Sequence, residues 1–326
     1  MAMKTVLDCL ESGSRYLEEH GIEDARRNMQ WLVANQLGCS RIDLYTQFDR
    51  PLAETDLGPL RKVLKRRGAG EPLQHLLGTV EFCGHEFRCD RRALVPRPET
   101  EELVVEILKL PIPRPCRILD VGTGSGVLGL SLAKALGADC EEAVLADLSA
   151  EALELARENA ELLGLEPTIV ECDLLTKVEG RFHLVGANLP YVADSDRDEI
   201  AAEVRHDPPS ALFAGSDGLA VIRKFVPAVR ERIEPGGFLA MEIGREQGSQ
   251  VAALLEHRVV VGHALHNDFK ALGISHPREQ QRDTARYPPY RKGMGNGSRP
   301  QKLAALSLQY LGWTIQTGEH SPLEDA

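Results

Sequence analysis

The chain has 326 residues and carries 38 Lys and Arg side chains against 49 Asp and Glu, which gives a formal net charge of −11. The composition is 43% hydrophobic and 27% charged, and no run of about 18 apolar residues is present, so a membrane-spanning protein is excluded. This length predicts two or three domains. The first residues include acidic side chains and no uninterrupted apolar stretch, so we expect no signal peptide and a cytoplasmic protein.

The charge is divided unevenly along the chain. Residues 258–326 carry 9 basic and 6 acidic side chains, whereas residues 1–257 carry 29 basic and 43 acidic ones. The net charges are therefore +3 and −14, and this change in composition predicts a boundary near residue 257. A body as acidic as −14 argues against nonspecific binding to nucleic acid and favours a protein substrate.

The amino-terminal residues predict a small helical bundle followed by a hairpin. Apolar residues recur three or four positions apart in VLDCLESGSRYLEEHG, DARRNMQWLVANQLG and ETDLGPLRKVLKRRG, and Asp24 is placed to cap the second of these helices. Alternation in VEFCGHEFRCDRRALV, between Val80 and Val95, predicts a short hairpin, and PRPETEELVVEIL then begins a helix with acidic residues in its first turn. We place a helical substrate-recognition domain at residues 1–75 and a hairpin linker at 76–96.

From Arg117 onward, short apolar strands alternate with longer helical stretches. The segments are RILDV, VLGLSLAKALG, AVLADL, AEALELARENAELLG, TIVECD, FHLVGANLP, LAVIRKFVPAVRERI and GGFLAMEI. This alternation predicts an α/β fold with a Rossmann-like, doubly wound parallel sheet across residues 97–257. A Gly- and Pro-rich stretch, YPPYRKGMGNGSRPQ, then precedes a last predicted helix.

A glycine turn follows the first predicted strand. The strand ends at Asp120 and runs into Gly122, Gly124 and Gly126 before the helix begins. Glycines at such a place let backbone amides approach a ligand closely at the helix N-terminus. Gly124, Gly126 and Gly129 also satisfy the dinucleotide pattern G-x-G-x-x-G, so the turn by itself leaves open NAD, S-adenosylmethionine and a turn made only for packing.

Three features favour S-adenosylmethionine over NAD. The turn reads D-x-G-x-G-x-G directly after the strand, and the dinucleotide spacing fits only two residues later. Asp147, ending the second strand, is placed to accept hydrogen bonds from a ribose diol, and Asp173, closing the third, to reach an adenine amino group. The fourth strand ends in Asn188 to Tyr191, at the carboxyl edge where open sheets place their chemistry.

The segment Asn188 to Tyr191 suits methyl transfer to a planar nitrogen. The lone pair of an amide or a base amine is delocalised, so the nitrogen is a weak nucleophile. The Asn188 side-chain oxygen and the backbone carbonyl beside Pro190 can accept both N–H bonds and hold the nitrogen in line with the methylsulfonium. Tyr191 would form a wall against the planar group, although the same residues also fit a simple strand-ending turn.

Residues 1–257 resemble the release-factor glutamine N5-methyltransferases of the HemK or PrmC type. The matching text is AGEPLQHLLGTVEFCGHEFRCDRRALVPRPETEELVV, ILDVGTGSGVLGLSLAKAL, ADLSAEALELARENAELLGL, ANLPYV and FLAMEIGREQGSQVAALLE. Gly70 to Val105 is the specific part, because other methyltransferases share the glycine turn but not RPETEELV. The resemblance implies a class I S-adenosylmethionine-dependent enzyme whose five-helix amino-terminal domain binds a peptide chain release factor. We expect a monomer. The implied reaction is methylation of the glutamine amide in the GGQ motif of that release factor.

The resemblance also implies roles for individual residues. Arg97 and Glu99 match its RPET motif near the site. Leu189 stands where the family usually has the first proline of NPPY. The sequence NLPY also occurs in rRNA adenine dimethyltransferases, so the alternative methyl acceptor is the N6 amine of adenine in rRNA or DNA. The implied cofactor-binding residues are Gly122, Thr123, Gly124, Ser125, Gly126, Asp147, Asp173 and Leu174, and the implied glutamine-binding residues are Asn188, Leu189, Pro190 and Tyr191.

Residues 258–326 resemble the carboxyl-terminal part of the DEDDh 3′-to-5′ RNA exonucleases. Asp268 in HALHNDFKAL matches the second motif of that family, and His320 with Asp325 matches its third. Four carboxylates bind two divalent metals in such enzymes, and the D-x-E of the first motif is missing from this segment. We expect a foreign, partly disordered segment without a metal site or nuclease activity, which leaves an inactive chimera as an alternative for the whole chain. VVVGHAL could instead supply a sixth strand to the methyltransferase sheet.

No metal site is predicted in the body of the chain. The seven cysteines are scattered, odd in number and without a C-x-x-C pair, so we expect reduced thiols. Asp139, Cys140 and Glu141 spell the D-x-E pattern of the missing exonuclease motif. They fall in a predicted helix-to-strand turn, however, where the sheet already explains them.

Overall fold

The computed structural model describes residues 4–245 and 247–255, followed by the backbone of four short strands. These strands are β8 (Val260–Gly262), β9 (Gln281–Asp283), β10 (Arg291–Lys292) and β11 (Arg299–Pro300). The exonuclease-like residues Asp268, His320 and Asp325 lie outside the described residues. Within the described residues, no helix is both long enough and apolar enough to cross a membrane.

The amino-terminal region is helical, as its periodicity predicts. Its elements are α1 (Val6–Glu19), α2 (Ala25–Leu37), a 3-10 turn (Asp43–Thr46), α3 (Glu54–Gly68) and α4 (Leu73–Leu77). The apolar faces of three of these helices meet in one core, with Leu10 of α1, Met29 of α2 and Leu60 of α3 all buried. Residues 4–78 thus contain four α-helices, whereas the resemblance implies five.

The first two helices begin in different ways. Thr5 caps α1 through a capping box: its hydroxyl accepts a hydrogen bond from the Asp8 N–H at 3.2 Å, and the Asp8 carboxylate accepts one from the Thr5 N–H at 2.9 Å. Asp24 precedes α2 in a left-handed conformation, with φ of 50°, and its side chain makes no capping hydrogen bond. The prediction that Asp24 caps α2 was wrong, because a side-chain cap needs an extended residue at this position.

A two-stranded hairpin and a helix connect the bundle to the sheet. β1 (Thr79–Phe82) pairs antiparallel with β2 (His85–Arg88), as the alternating sequence predicts, and α5 (Pro98–Ile107) follows. Phe82 and Phe87 are fully buried and meet edge to face, with ring centroids 6.0 Å apart. The hairpin therefore has its own aromatic contact and also joins the core of the sheet domain.

Five parallel strands form the central sheet in the order β5-β4-β3-β6-β7. The strands are β3 (Cys116–Val121), β4 (Cys140–Asp147), β5 (Thr168–Glu171), β6 (Phe182–Asn188) and β7 (Ile233–Glu242), and the helices are α6 (Val127–Leu136), α7 (Ala150–Leu163), α8 (Ala220–Val229) and α9 (Gly248–Leu254). Successive residues of β3 face opposite sides: Ile118 packs in the core under α5 and α6, and Leu119 in the core that contains Phe225 of α8. Both faces are covered, which confirms the predicted doubly wound sheet.

The strand order reverses at the centre of this sheet. The chain runs outward from β3 to β5 and then returns to place β6 on the other side of β3. Ligands of open α/β sheets bind beyond the carboxyl ends of the strands at such a point. β8 pairs with β9 in a separate two-stranded sheet, so the alternative that VVVGHAL adds a sixth strand to the central sheet was wrong within the described backbone.

Candidate active site

A cavity of about 400 Å³ opens at the carboxyl edge of the sheet, where the strand order reverses. Most of the residues predicted to bind the cofactor or the glutamine line it, and Gly126 and Tyr191 do not. The predicted residues in the lining are Gly122, Thr123, Gly124, Ser125, Asp147, Asp173, Leu174, Asn188, Leu189 and Pro190. The fold therefore brings together side chains from the ends of four strands.

The glycine turn between β3 and α6 is in the left-handed region at all three glycines. The φ values are 70° at Gly122, 55° at Gly124 and 85° at Gly126, and a residue with a Cβ atom would be strained at each. A Cβ on Gly122 would also stand only 2.9 Å from Cδ2 of Leu189. The turn packs directly against the segment after β6, so the predicted cofactor-binding and glutamine-binding segments share a wall.

Asp120 supports the glycine turn from within β3. Its carboxylate accepts hydrogen bonds from the Thr123 hydroxyl at 2.6 Å and from the Gly129 N–H at 2.9 Å. Full burial raises the pKa of this carboxyl to about 6, although both hydrogen bonds act to lower it. Asp120 also lines the cavity, and it was not among the predicted site residues. Its place two residues before the first glycine was the available signal.

Asn159 of α7 fixes the other side of the turn. Its fully buried side chain donates hydrogen bonds to the carbonyl oxygens of Ser125 at 2.9 Å and Arg88 at 3.2 Å, and it accepts one from the Arg88 N–H at 2.7 Å. One side chain thus joins the hairpin, α7 and the glycine turn. Sequence reasoning missed Asn159, because nothing in ARENAELL distinguishes it from an exposed helical asparagine.

Asp147 presents a carboxylate at the end of β4. One of its oxygens accepts a hydrogen bond from the Gly124 N–H at 2.9 Å, and the other accepts one from the Ser149 N–H at 2.8 Å. Each oxygen keeps a second lone pair, and the side chain lines the cavity. Leu148, beside it in the lining, is 65% exposed and offers an apolar surface. A carboxylate next to an apolar side chain suits a ribose diol that carries a base.

The turn after β5 places Asp173 and Leu174 in the cavity lining. Leu174 has a φ of 51°, a left-handed conformation that is strained for leucine. Its carbonyl oxygen accepts a hydrogen bond from the Cys172 thiol at 3.2 Å, and the Asp173 carbonyl accepts one from the Thr176 N–H at 3.1 Å. These bonds hold a tight turn that leaves the Asp173 side chain exposed beside the predicted adenine position.

Asn188 ends β6 and joins a hydrogen-bonded cluster at the wall of the cavity. Its side-chain NH₂ donates to the Thr100 hydroxyl at 3.1 Å and to a Glu242 carboxylate oxygen at 3.0 Å. The Thr100 hydroxyl donates to the same carboxylate oxygen at 2.7 Å, and the Tyr191 hydroxyl donates to the other at 3.0 Å. With both N–H bonds of Asn188 engaged, its Oδ1 is the atom left to meet a ligand in the cavity.

Glu242, at the end of β7, was not predicted from the sequence. Burial is the main reason that the pKa of its carboxyl is raised, and the nearby Glu99 carboxylate raises this pKa further. The hydrogen bonds from Thr100 and Tyr191 lower it. Burial, with Glu242 beside it, also raises the pKa of Tyr191. The available signal was FLAMEIG, in which a carboxylate closes an apolar strand next to β6.

The segment before α5 and the loop between β6 and α8 close the far side of the cavity. The Arg97 guanidinium donates to the Asp207 carboxylate at 2.7 Å, and the Val95 N–H donates to its other oxygen at 3.1 Å. Burial raises the pKa of Asp207, whereas Arg97 lowers it. This pairing holds the loop where Pro208 lines the cavity. Arg97 of the RPET motif therefore lies at the site, and Glu99 is exposed outside the lining.

The cavity suits S-adenosylmethionine in size and in chemistry. Small-molecule sites commonly measure about 300 to 1,000 Å³ and combine apolar walls with a few placed polar groups. Gly122 and Gly124 line the cavity with backbone alone, and Asp147 supplies a carboxylate acceptor. These residues could therefore hold the nucleoside and leave the Asn188 end of the cavity for an acceptor group.

The Asp139 to Glu141 triplet does not form a metal site in the described structure. The Asp139 carboxylate pairs with Arg114 at 2.6 Å, and Cys140 begins β4. The described residues contain no group of three or more His, Cys, Asp or Glu side chains placed to hold a metal ion. The seven cysteines, all within those residues, are free thiols.

Comparisons with known proteins cover most of the chain. Residues 8–78 match the family described as PrmC N-terminal domain, and residues 100–234 match the methyltransferase small domain. The release factor glutamine methyltransferase of Geobacter sulfurreducens is 39% identical over 252 residues, which cover 77% of this chain and 88% of that protein. The release factor glutamine methyltransferase of Deinococcus radiodurans is 39% identical over 251 residues, with 76% and 89% covered.

A solved structure resembles a smaller part of the chain. The ribosomal protein L11 methylase of Lactobacillus delbrueckii subsp. bulgaricus is 22% identical, with 48% of this chain and 66% of that chain covered and a TM-score of 0.36. The sequence relatives are far more similar and extend across the helical region and the sheet. The chain belongs to the release factor glutamine methyltransferase family, whose members are S-adenosylmethionine-dependent methyltransferases.

Proposed function

We propose that this protein transfers the methyl group of S-adenosylmethionine to the side-chain amide nitrogen, N5, of the glutamine in the GGQ motif of a peptide chain release factor. The observation that carries the proposal is the orientation of Asn188. Its NH₂ is held by Thr100 and Glu242, so a hydrogen-bond acceptor faces the cavity beside the glycine turn. An acceptor at this point binds the N–H of an amide.

The acceptor end of the cavity is the part around Asn188 and Leu189. Its residues supply orientation and fixed dipoles rather than a strong base. Bound S-adenosylmethionine supplies a methyl group on a positively charged sulfur. Asn188 Oδ1 accepts one N–H bond of the glutamine amide and the Leu189 carbonyl accepts the other, which aims the nitrogen at the methyl group. The same dipoles favour the positive charge that develops on the nitrogen. In the transfer, the amide nitrogen would gain the methyl group in place of one N–H proton, which would leave to solvent.

Leu189 is compatible with this role. It replaces the first proline of the usual NPPY motif, and its side chain is buried against the glycine turn. The backbone carbonyl that we assign to the glutamine amide does not depend on the side chain at this position. Pro190 and Tyr191 keep their places in the motif, so we infer that the acceptor segment remains functional.

A protein is the more suitable acceptor class for this chain. The net charge of −14 over residues 1–257 disfavours the polyphosphate backbone that an rRNA or DNA adenine substrate would bring. The amino-terminal helices, which we assign to residues 1–75 as the recognition domain, offer a separate surface for a folded partner. The two relatives compared above are named for release factor glutamine, which also supports this choice.

Mass spectrometry of a release factor treated with this protein and isotope-labelled S-adenosylmethionine tests the proposal. We expect one labelled methyl group on the glutamine of GGQ. A release factor with alanine in place of that glutamine is the control and should take up no label. Label on adenine of rRNA, with none on the release factor, would overturn the proposal in favour of the alternative acceptor.

We infer further that residues 258–326 add no exonuclease activity. Only Asp268 and the pair His320 and Asp325 match the nuclease motifs, and two carboxylates are too few for a two-metal site. Metal-dependent release of nucleotides from RNA that disappears in Asp268→Ala would overturn this inference. The predicted domain division, the monomeric state and the cytoplasmic location remain part of the same proposal.

A further inference from the structure

Glu242 lies behind the acceptor end of the cavity rather than in its wall. It pairs in register with Asn188 across β6 and β7, so the two side chains leave the sheet at the same level. Asn188 and Thr100 line the cavity and Glu242 does not. Asn188 and Thr100, which both donate to Glu242, therefore connect its carboxylate with the cavity.

The hydrogen bonds permit only one orientation of the Asn188 amide. The Thr100 hydroxyl has a single proton and donates it to Glu242 at 2.7 Å, so it can only accept from Asn188. Rotating the amide by half a turn would place Oδ1 against the carboxylate oxygen that now lies 3.0 Å from Nδ2. Two acceptors at that separation repel each other, so an ionised Glu242 keeps the NH₂ inward and Oδ1 toward the cavity.

We propose that Glu242 is the positioning residue of the acceptor site: together with Thr100 it holds Oδ1 of Asn188 toward the cavity, so that the site takes an amide N–H and disfavours a carboxylate. This inference rests on the proposed role of Asn188 as the acceptor of the glutamine N–H. If the amide were reversed, its NH₂ would face the cavity and favour an acceptor such as the side chain of glutamate.

Folding alone does not explain a carboxylate at this position. Burial raises the pKa of Glu242, so the folded structure favours a neutral group there, and three hydrogen-bond donors oppose that preference. An amide of the same shape would remove the buried charge but would offer these three donors one acceptor oxygen in place of two. A purely structural role therefore predicts that Glu242→Gln lowers stability and activity together, whereas a positioning role predicts a loss of activity at nearly unchanged stability.

The test compares variants of the full chain with an intact release factor as substrate. We expect Glu242→Gln to lower kcat about ten- to hundredfold, because an amide can donate to Asn188 and no longer fixes its orientation. The dissociation constant for S-adenosylmethionine and the melting temperature should stay close to those of the wild type. The ratio of affinities for release factors with glutamine and with glutamate in GGQ should also fall.

Three further variants separate positioning from structure. Thr100→Val should lower kcat as much as Glu242→Gln does. Thr100→Ser keeps the hydroxyl, so its kcat should stay close to that of the wild type. Glu101→Gln is the matched control: Glu101 is a partly buried carboxylate on α5 that accepts a hydrogen bond from the Cys83 N–H at 2.6 Å, away from the cavity lining. Its kcat should equal that of the wild type.

A second measurement does not depend on methyl transfer. Solvent exchange of the Asn188 side-chain NH₂ protons, followed by NMR, should be slow in the wild type and at least about tenfold faster in Glu242→Gln, because their hydrogen bonds are lost. Unchanged exchange with kcat within twofold would overturn the positioning role, and so would a fall in kcat that only follows the melting temperature. If the wild type methylates no release factor, the proposed function fails, and the exchange rates still decide whether Glu242 orients Asn188.

Discussion

The two ends of the cavity are built from different kinds of contact. At the end that we propose for the cofactor, the Gly124 N–H of the glycine turn donates to Asp147, which lies only 23 positions away. At the acceptor end, Asn188 bonds to Thr100 and Glu242, which lie 88 and 54 positions away from it. Short sequence motifs therefore encode the cofactor end. The acceptor end depends on β6, α5 and β7, which only the fold brings together.

This difference predicts different responses to mutation. A change at the cofactor end removes one of several contacts to a bound molecule, so it should lower affinity. A change at the acceptor end removes the orientation of one reacting atom, so it should lower the rate at saturating cofactor and leave affinity nearly unchanged. Variants at the two ends can therefore test whether cofactor affinity and reaction rate are controlled separately.

Asn188→Ala is expected to have the largest effect. It removes the side-chain oxygen that orients the glutamine amide, and we expect kcat to fall at least about 100-fold, or about 3 kcal/mol in the activation barrier. Affinity for S-adenosylmethionine, measured by calorimetric titration, should stay within about twofold of the wild type. Equal losses of rate and cofactor affinity would show that the two ends of the cavity are not separable.

Asn159→Ala tests whether the cofactor end depends only on local contacts. The substitution removes three hydrogen bonds made by a buried side chain, two to the Arg88 backbone and one to the Ser125 carbonyl, which is buried. We expect the free energy of unfolding in urea to fall by about 2 to 4 kcal/mol. Asn35→Ala, on the exposed face of α2, is the matched control and should change it by less than about 0.5 kcal/mol. Similar values for both variants would mean that the turn holds its shape without α7.

The sequence predicts the features that depend on local motifs and misses those that depend on contacts between distant segments. The strands, the hairpin and the lining residues Gly122, Asp147 and Asn188 were found because periodicity and short motifs are local signals. Glu242 and Asn159 were missed, because their partners come from distant segments. FLAMEIG marks Glu242 only as the end of an apolar strand, and Asn159 stands in no recognisable pattern. Asp24 was misplaced as a cap for a different reason, since its backbone conformation and not its residue type decides the hydrogen bond.

Asp120 connects the glycine turn to the pH dependence of folding. Its pKa of about 6 in the folded protein exceeds the ordinary value of 3.8, so between these values the folded state holds a proton that the unfolded state has released. The contribution of Asp120 to the free energy of unfolding therefore falls as pH rises from about 4 to about 6, by at most about 3 kcal/mol.

Asp120→Asn isolates this contribution. An amide oxygen can still accept from Thr123 and Gly129 and does not ionise, so the stability of the variant relative to the wild type should rise across the same pH range. Chemical unfolding at several pH values between 4 and 7 measures the difference. A constant difference across that range would show that Asp120 is ionised throughout.

Asp147→Ala should act on affinity more than on rate. It removes the carboxylate that we expect to accept hydrogen bonds from the ribose, and we expect binding of S-adenosylmethionine to weaken by about 1.5 to 3 kcal/mol. Asp139→Ala, which removes an exposed carboxylate paired with Arg114, is the matched control and should leave affinity unchanged. Unchanged affinity in Asp147→Ala would place the ribose elsewhere in the cavity.

Leu189→Pro should have the smallest effect and tests how much of the acceptor end lies in the hydrogen-bonded cluster. Proline fills less space than the buried leucine against Gly122, so we expect the free energy of unfolding to fall by about 1 kcal/mol. The carbonyl at this position and the contacts of Asn188 with Thr100 and Glu242 do not involve the leucine side chain, so kcat should stay within about threefold. A tenfold loss of kcat would mean that the leucine side chain itself shapes the acceptor site, and orientation of Asn188 would then be only part of what the acceptor end requires.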